Sequence, residues 1–220
     1  MVTYAAAAQV EGELYPFAFD RGARGALVGL GFAASYQKTF GLSIRIPNQT
    51  LRAPIDQARL AVGARYRLGI GAASTLALGL DYVAQHYIAD RAPLMAVLLD
   101  MPDVDYSAVA PGAAVRTPLG DSAALFAALD GLLVLGTGGI QDNASYGPAT
   151  VYGVDVQAGV DVALSRQLGL RVALAFSQIN LSFNGKGALA LTRDADSTTI
   201  DVSGATDRLI DLTATLGYAF

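Results

Sequence analysis

Apolar residues fall on alternate positions in one segment after another along this 220-residue chain. Side chains point to opposite faces of a β-strand in turn, so splitting each segment into its two rows separates one face from the other. The pattern predicts about nine strands bounded by Gly, Pro and polar clusters. They run approximately Thr3 to Pro16, Gly25 to Phe40, Gln57 to Leu68, Thr75 to Tyr87, Val104 to Thr117, Ala123 to Leu135, Val151 to Ser165, Gly169 to Phe183 and Asp207 to Phe220. The third is the most regular: Leu60, Val62, Ala64, Tyr66 and Leu68 oppose Arg59, Gly63, Arg65 and Arg67. In the last, Ile210, Leu212, Ala214, Leu216, Tyr218 and Phe220 oppose Leu209, Asp211, Thr213, Thr215, Gly217 and Ala219. The sixth is the least regular, and its Ala-Ala-Leu-Phe-Ala-Ala-Leu run is equally compatible with a helix.

Most of these segments are about 10–14 residues long, whereas globular strands peak near 5–6 and membrane-crossing strands need about 9–11. Short and long connections alternate strictly. Tight turns near Arg21, Gly71, Gly120 and Gln167 share one end, and long loops after Phe40, Gln85, Leu135 and Phe183 share the other. That is the plan of an all-β, antiparallel up-and-down transmembrane barrel, with its turns periplasmic and its loops extracellular. No composition shift marks a second domain, so residues 1–220 are expected to form a single barrel domain. Single-chain bacterial barrels usually have an even strand number, so a count of about nine is awkward. Ten strands in the intact parent, with an upward strand ahead of Thr3, is the preferred expectation. A misread strand, or closure between parallel first and last strands, would also account for the number.

Composition supports a membrane setting. Hydrophobic residues make up 53% of the chain and mean hydropathy is +0.40. Yet no run approaches the ~18 consecutive apolar residues of a transmembrane helix. A net charge of -4 and a pI near 4.8 leave no basic footprint for nucleic acid. The absence of cysteine excludes disulfides and thiolate metal sites. MVTYAAAAQ lacks the charged and apolar regions of a secretion signal. The expectation is a leader removed or replaced by an initiating Met, or an upstream segment cut away.

The polar rows carry the candidate chemistry. They collect Glu11, Glu13, Asp81, Asp130, Asp155, Asp161 and Asp211 against Arg59, Arg65, Arg67, Arg116 and Arg171. In a barrel these face a confined lumen, where unpaired charges are costly, so a structural ion-pair plug is expected. A charge-lined path for a small solute is the sharper alternative. Gly29, Gly31 and Ala33 would either leave space for that path or seat bulky arginines from the third strand. Tyr4, Tyr36, Tyr66, Tyr82, Tyr152, Phe176, Tyr218 and Phe220 lie near strand ends on the apolar rows, as interface girdles do. His86, the sole histidine, points outward at the long-loop end with no identifiable nucleophile partner, so a surface role is expected over a rim hydrolase. Asp194 and Asp196 lack the Gly and terminal Glu of a calcium loop. GIGAAS and GTGGI lack the Lys and following helix of a phosphate cradle. No cofactor and no metal is expected. The apolar loop of residues 92–102, with its PLMAVLLDMP core, suits either a partner contact or a fold over the lumen mouth.

The closing segment resembles the C-terminal signature of bacterial outer-membrane β-barrels: a terminal Phe220, an aromatic Tyr218 two before it, Leu216 before that, and apolar residues alternating further back. PDVDY (Pro102 to Tyr106), YG (Tyr146, Gly147) and GATD (Gly204 to Asp207) look similar to small barrel proteins of myxobacterial type. The resemblance implies an integral protein of the Gram-negative outer membrane. Its partners would be membrane lipids and the assembly machinery that reads Leu216, Tyr218 and Phe220, with a further periplasmic or surface partner open. A non-enzymatic anchor, structural or surface-interaction barrel is the expected function, and a narrow porin-like channel the alternative.

Overall fold

The computed structural model describes the chain apart from residues 1–4, 20–24, 46–51, 72, 93–101, 193–195, 197 and 220. Ten antiparallel strands form one sheet that curls into a nearly closed barrel. Nine of them are long and follow one another around the wall: β1 (Ala6–Leu14), β2 (Leu30–Phe40), β4 (Arg52–Ile70), β5 (Ser74–Ala89), β6 (Val104–Leu119), β7 (Ala123–Gly136), β8 (Ala149–Ala163), β9 (Leu168–Phe183) and β10 (Gly204–Tyr218). The tenth, β3 (Ser43–Arg45), is a short strap in the loop after β2 that pairs with the start of β4.

The strands differ from the sequence expectation chiefly at their ends. β4 begins at Arg52 rather than near Gln57, because Ser43 to Arg45 gives its extension an antiparallel partner. β2 begins at Leu30, the residues Gly25–Gly29 forming a 3-10 turn instead. The ambiguous sixth segment is strand β7, fixed by ladders to β6 and β8 on both sides. Pro111 stands inside β6, and pairing to β7 lapses at Ala110 and Pro111, where proline has no N–H to donate. The turns after β4 and β6 are tight because Gly71 and Gly120 adopt φ of 61° and 72°, a region costly for other residues.

The rows face as the alternation predicts. On β10, Ile210, Leu212, Leu216 and Tyr218 are 69%, 78%, 68% and 62% exposed on the outer face, while Asp211 is half-buried on the inner one. Leu76 and Val160 belong to the same outer rows, half-buried by their neighbours. The side chains of Arg65 and Asp161 are 20% and 17% exposed, inside the barrel. The buried apolar cluster lies at one end, the long-loop end, which the loops cover. Among the described residues no helix is long and apolar enough to cross a membrane, which says nothing about crossing by strands.

Candidate functional site in the lumen

Strand register decides which charges meet. One level of the ladder runs Gly31, Arg65, Gly79, Gly112, Asp130, Asp155, Ser177, Leu209 around the wall. Long side chains lie across the glycines beside them. A Cβ at Gly79 would sit 2.6 Å from Arg65 Nη1, and one at Gly112 would collide with the Asp130 carboxylate. Glycine on one strand is therefore what gives a charged side chain on the next room to lie down. Gly31 does this for an aromatic and not for an arginine: a Cβ there would meet the Tyr15 ring at 2.6 Å. Gly29 likewise faces the Arg67 backbone rather than open space.

All twelve expected lumen residues are on described strands, and most join ion pairs. Arg65 grips Asp81 with two nitrogens, Nη2 donating to Oδ2 at 2.6 Å. Arg59 donates to Asp155 and, at 3.1 Å, to Gln85. Asp161 accepts from Arg116 Nε and Arg171 Nε, each at 2.8 Å. Arg171 also reaches Glu11 at 3.2 Å and lies over the Phe126 ring, 4.5 Å from its centre. Near the tight-turn end Arg67 pairs with Glu13 at 3.3 Å and covers the Tyr15 ring, while the Tyr15 hydroxyl donates to Glu13 at 2.9 Å. Asp211 accepts from the Gln37 amide at 3.3 Å. Among the described residues no cation forms a salt bridge with Asp130, which faces Asp155 across the β7–β8 ladder.

Above this charged layer lies a second one that the sequence reading missed. Tyr106, 2% exposed, donates its hydroxyl to Asp207. Gln57 and Gln85, each 3% exposed, both donate to the Tyr87 hydroxyl. The signal was present: Asp207 shares the parity of Asp211, and Gln85 that of Asp81.

A third layer closes the mouth with apolar packing. Leu132, Ile179, Leu181 and Phe183 turn inward from β7 and β9, and loop residues Ile140, Tyr146 and Ala190 meet them. Tyr146 stacks on Phe183, ring centres 5.0 Å apart. The loops after β7 and β9 are tied together over the mouth: Ala188 N donates to the Asn143 carbonyl and Leu189 N to the Ser145 carbonyl, both at 2.8 Å. On β9 and β10 the outer face at this level is polar, with Gln178 accepting from Arg208 Nε at 2.8 Å and Asn180 accepting from Thr206 at 3.2 Å.

His86 stands on this polar outer belt, its Nε2 3.7 Å from Asp56, which Lys38 also holds. Among the described residues no hydroxyl nucleophile hydrogen-bonds to it. Asp196 is occupied by Thr198, whose backbone N–H it accepts at 2.9 Å, and Asp194 lies outside the described residues. Most of the PLMAVLLDMP loop (residues 93–101), together with Tyr4 and Phe220, also lies outside them. Beside that loop, the Arg91 guanidinium holds the Asp103 carboxyl below the usual range, helped by the Ala89 N–H. No group of three or more His, Asp or Glu side chains among the described residues is arranged to hold a metal ion. Comparison with protein-family models, curated proteins and solved structures found no match.

Proposed function

We propose that this chain is an integral β-barrel of the Gram-negative outer membrane with a plugged lumen, serving as a non-enzymatic anchor, structural or surface-interaction protein. The observation that carries the plugged reading is the stack of three layers across the interior: ion pairs, then buried Tyr–Asp and Gln–Tyr bonds, then the apolar cap. Carboxylates and guanidiniums that satisfy each other are poor lining for a solute path, and apolar side chains are packed across the mouth.

The membrane setting is supported by the outer face. Leu129, Leu133, Leu212 and Leu216 are 55%, 59%, 78% and 68% exposed on the outer face, and large apolar side chains exposed together mark a membrane or partner contact. Tyr36, Tyr82 and Tyr152 stand between that surface and the polar belt, where interfacial aromatics belong. Strand length agrees: 15 residues in β10 rise about 50 Å, or about 40 Å along a barrel axis at typical tilt, against an apolar band of about 25 Å. The surplus matches the polar-belted end. The closing-strand resemblance makes Leu216 and Tyr218, with Phe220, the address read by the assembly machinery. The short likenesses to barrels of myxobacterial type point to the same compartment.

Reconstitution into planar bilayers tests the plug. The expected record is flat at all voltages. Stepwise openings would instead establish a narrow porin-like channel, with Asp130 as the first residue to examine. A heat-modifiable band on unboiled gels is expected for the refolded barrel.

A further inference from the structure

At the tight-turn end, at the foot of the lumen, lies a cavity of about 300 Å³. Three segments build its wall. Tyr15 and Val28 belong to the connection from β1 to β2, Arg67 and Gly69 to the end of β4, and Thr75 to the start of β5. Register holds them together: Gly69 pairs with Thr75, and a Cβ at Gly29 would strike the Arg67 carbonyl. The rim is open, since Gly25 and Gly69 are exposed and a Cβ at either would meet nothing within 4 Å.

Among the described residues that line this cavity, Arg67 is the one charged side chain. It differs from the arginines above it. Arg59 and Arg65 are 20% exposed, and each is engaged with acceptors inside the lumen. Arg67 is 47% exposed, and Glu13 takes one N–H, at 3.3 Å, of the five that a guanidinium offers. The group is nevertheless fixed in place. It lies 3.9 Å over the Tyr15 ring, which is buried against Gly31 and tied to Glu13 by its hydroxyl. A planar fork held still and half exposed is what the two oxygens of a carboxylate match. Thr75 brings a side-chain hydroxyl to the same cavity.

We infer that this cavity is a binding site for a small monocarboxylate of amino-acid size. Its volume stands at the small end of ligand pockets. The Val28 side chain and the Tyr15 ring give the body of such a molecule an apolar wall. Glu13 argues against a dianion such as phosphate: its carboxylate shares Arg67, and a second full negative charge beside it is repelled. Under the membrane reading above, the cavity opens to the periplasm, where a free acid or the end of a short peptide supplies the group. The recognition itself does not rest on that reading.

The probe is N-acetylalanine, titrated into the refolded full chain in detergent micelles and followed by amide NMR, with heat-modifiable migration recorded alongside. The Val28, Gly69 and Thr75 amides are expected to shift with a Kd of about 1 mM or tighter. N-acetylalaninamide, which lacks the charge, should bind at least about tenfold weaker, and so should N-acetylalanine to Arg67→Gln. Because Arg67→Gln also strands Glu13, Gly69→Leu is the second variant. Its side chain enters open space, so the barrel folds with the cavity filled and binding is lost. Acetyl-tetraalanine binds as well as the probe if a peptide end is the source, and at least about tenfold weaker if a free acid is. No shift up to about 10 mM probe, equal affinity for the amide, or full binding to folded Gly69→Leu would each overturn the site while leaving the heat-modifiable band in place. Loss of that band would instead overturn the membrane reading and the periplasmic source, and leave the binding result standing.

Discussion

The two ends of this barrel are built inside out relative to each other. Toward the tight turns the wall is apolar outside and ionic inside: Leu212 is 78% exposed while Arg65 and Asp81 pair within. Toward the long loops β9 and β10 are polar outside and apolar inside: Asn180 faces out while Ile179 and Leu181, 4% and 3% exposed, face a packed core. β9 performs the exchange within a single strand. Leu170, Val172, Leu174 and Phe176 keep the outer parity, then Ile179, Leu181 and Phe183 take the inner one. Under the membrane reading proposed above, the same rule, apolar surface away from water, gives opposite arrangements as the outer surroundings change along the axis. One end is a soluble-type core with a water-facing jacket, and the other fits a hydrocarbon jacket around a hydrogen-bonded polar filling.

The largest expected effect separates the two fillings. Arg65→Ala strands Asp81 in the lumen and is expected to cost about 3–5 kcal/mol in urea unfolding of the vesicle-inserted protein. Arg65→Met combined with Asp81→Leu should return most of that loss, since an apolar pair of similar volume replaces a buried ion pair at little cost. A double variant as unstable as the single one would mean that the lower lumen depends on its charges as such.

The outer faces come next. Leu212→Arg is expected to cost about 2–4 kcal/mol in a bilayer, and Asn180→Arg between about 0 and 1. Equal costs would erase the contrast between the two jackets. At the boundary between fillings, Tyr106→Phe leaves Asp207 buried without its donor and should cost about 1–3 kcal/mol by the same titration. An unchanged midpoint would show that water replaces the hydroxyl there.

The smallest effect concerns the loop end. Because Arg91 and the Ala89 N–H hold the Asp103 carboxyl below its unfolded value, its contribution is fully present above the ordinary aspartate range and is lost as pH falls through the depressed value. An Arg91→Gln variant should show a shallower acid-side decline in stability than the parent, and identical pH profiles would contradict this role of the pair.

Much of this was legible in the sequence. Alternation located all nine long strands, and parity assigned the twelve charged residues to the inner face, because a period of two admits only two sides. The short strap β3 was not legible: three residues carry too little pattern, and their pairing depends on β4 extending to Arg52. The apolar cap was missed for a different reason. Each segment was split as if one polarity rule held along its whole length, and Ile179, Leu181 and Leu132 were placed in neither row, so the second rule went unseen. Which arginine meets which carboxylate depends on register across several strands, as with Arg59 and Asp155, 96 positions apart. Periodicity within one strand carries no such information.

The most direct measurement uses the chain's lack of cysteine. Single cysteines at positions 212, 180 and 161 are labelled with a fluorophore after insertion into vesicles and challenged with lipid-borne and aqueous quenchers. The account predicts quenching by lipid at 212, by the aqueous quencher at 180, and weak quenching by either at 161. Aqueous quenching at 212 as strong as at 180 would contradict it.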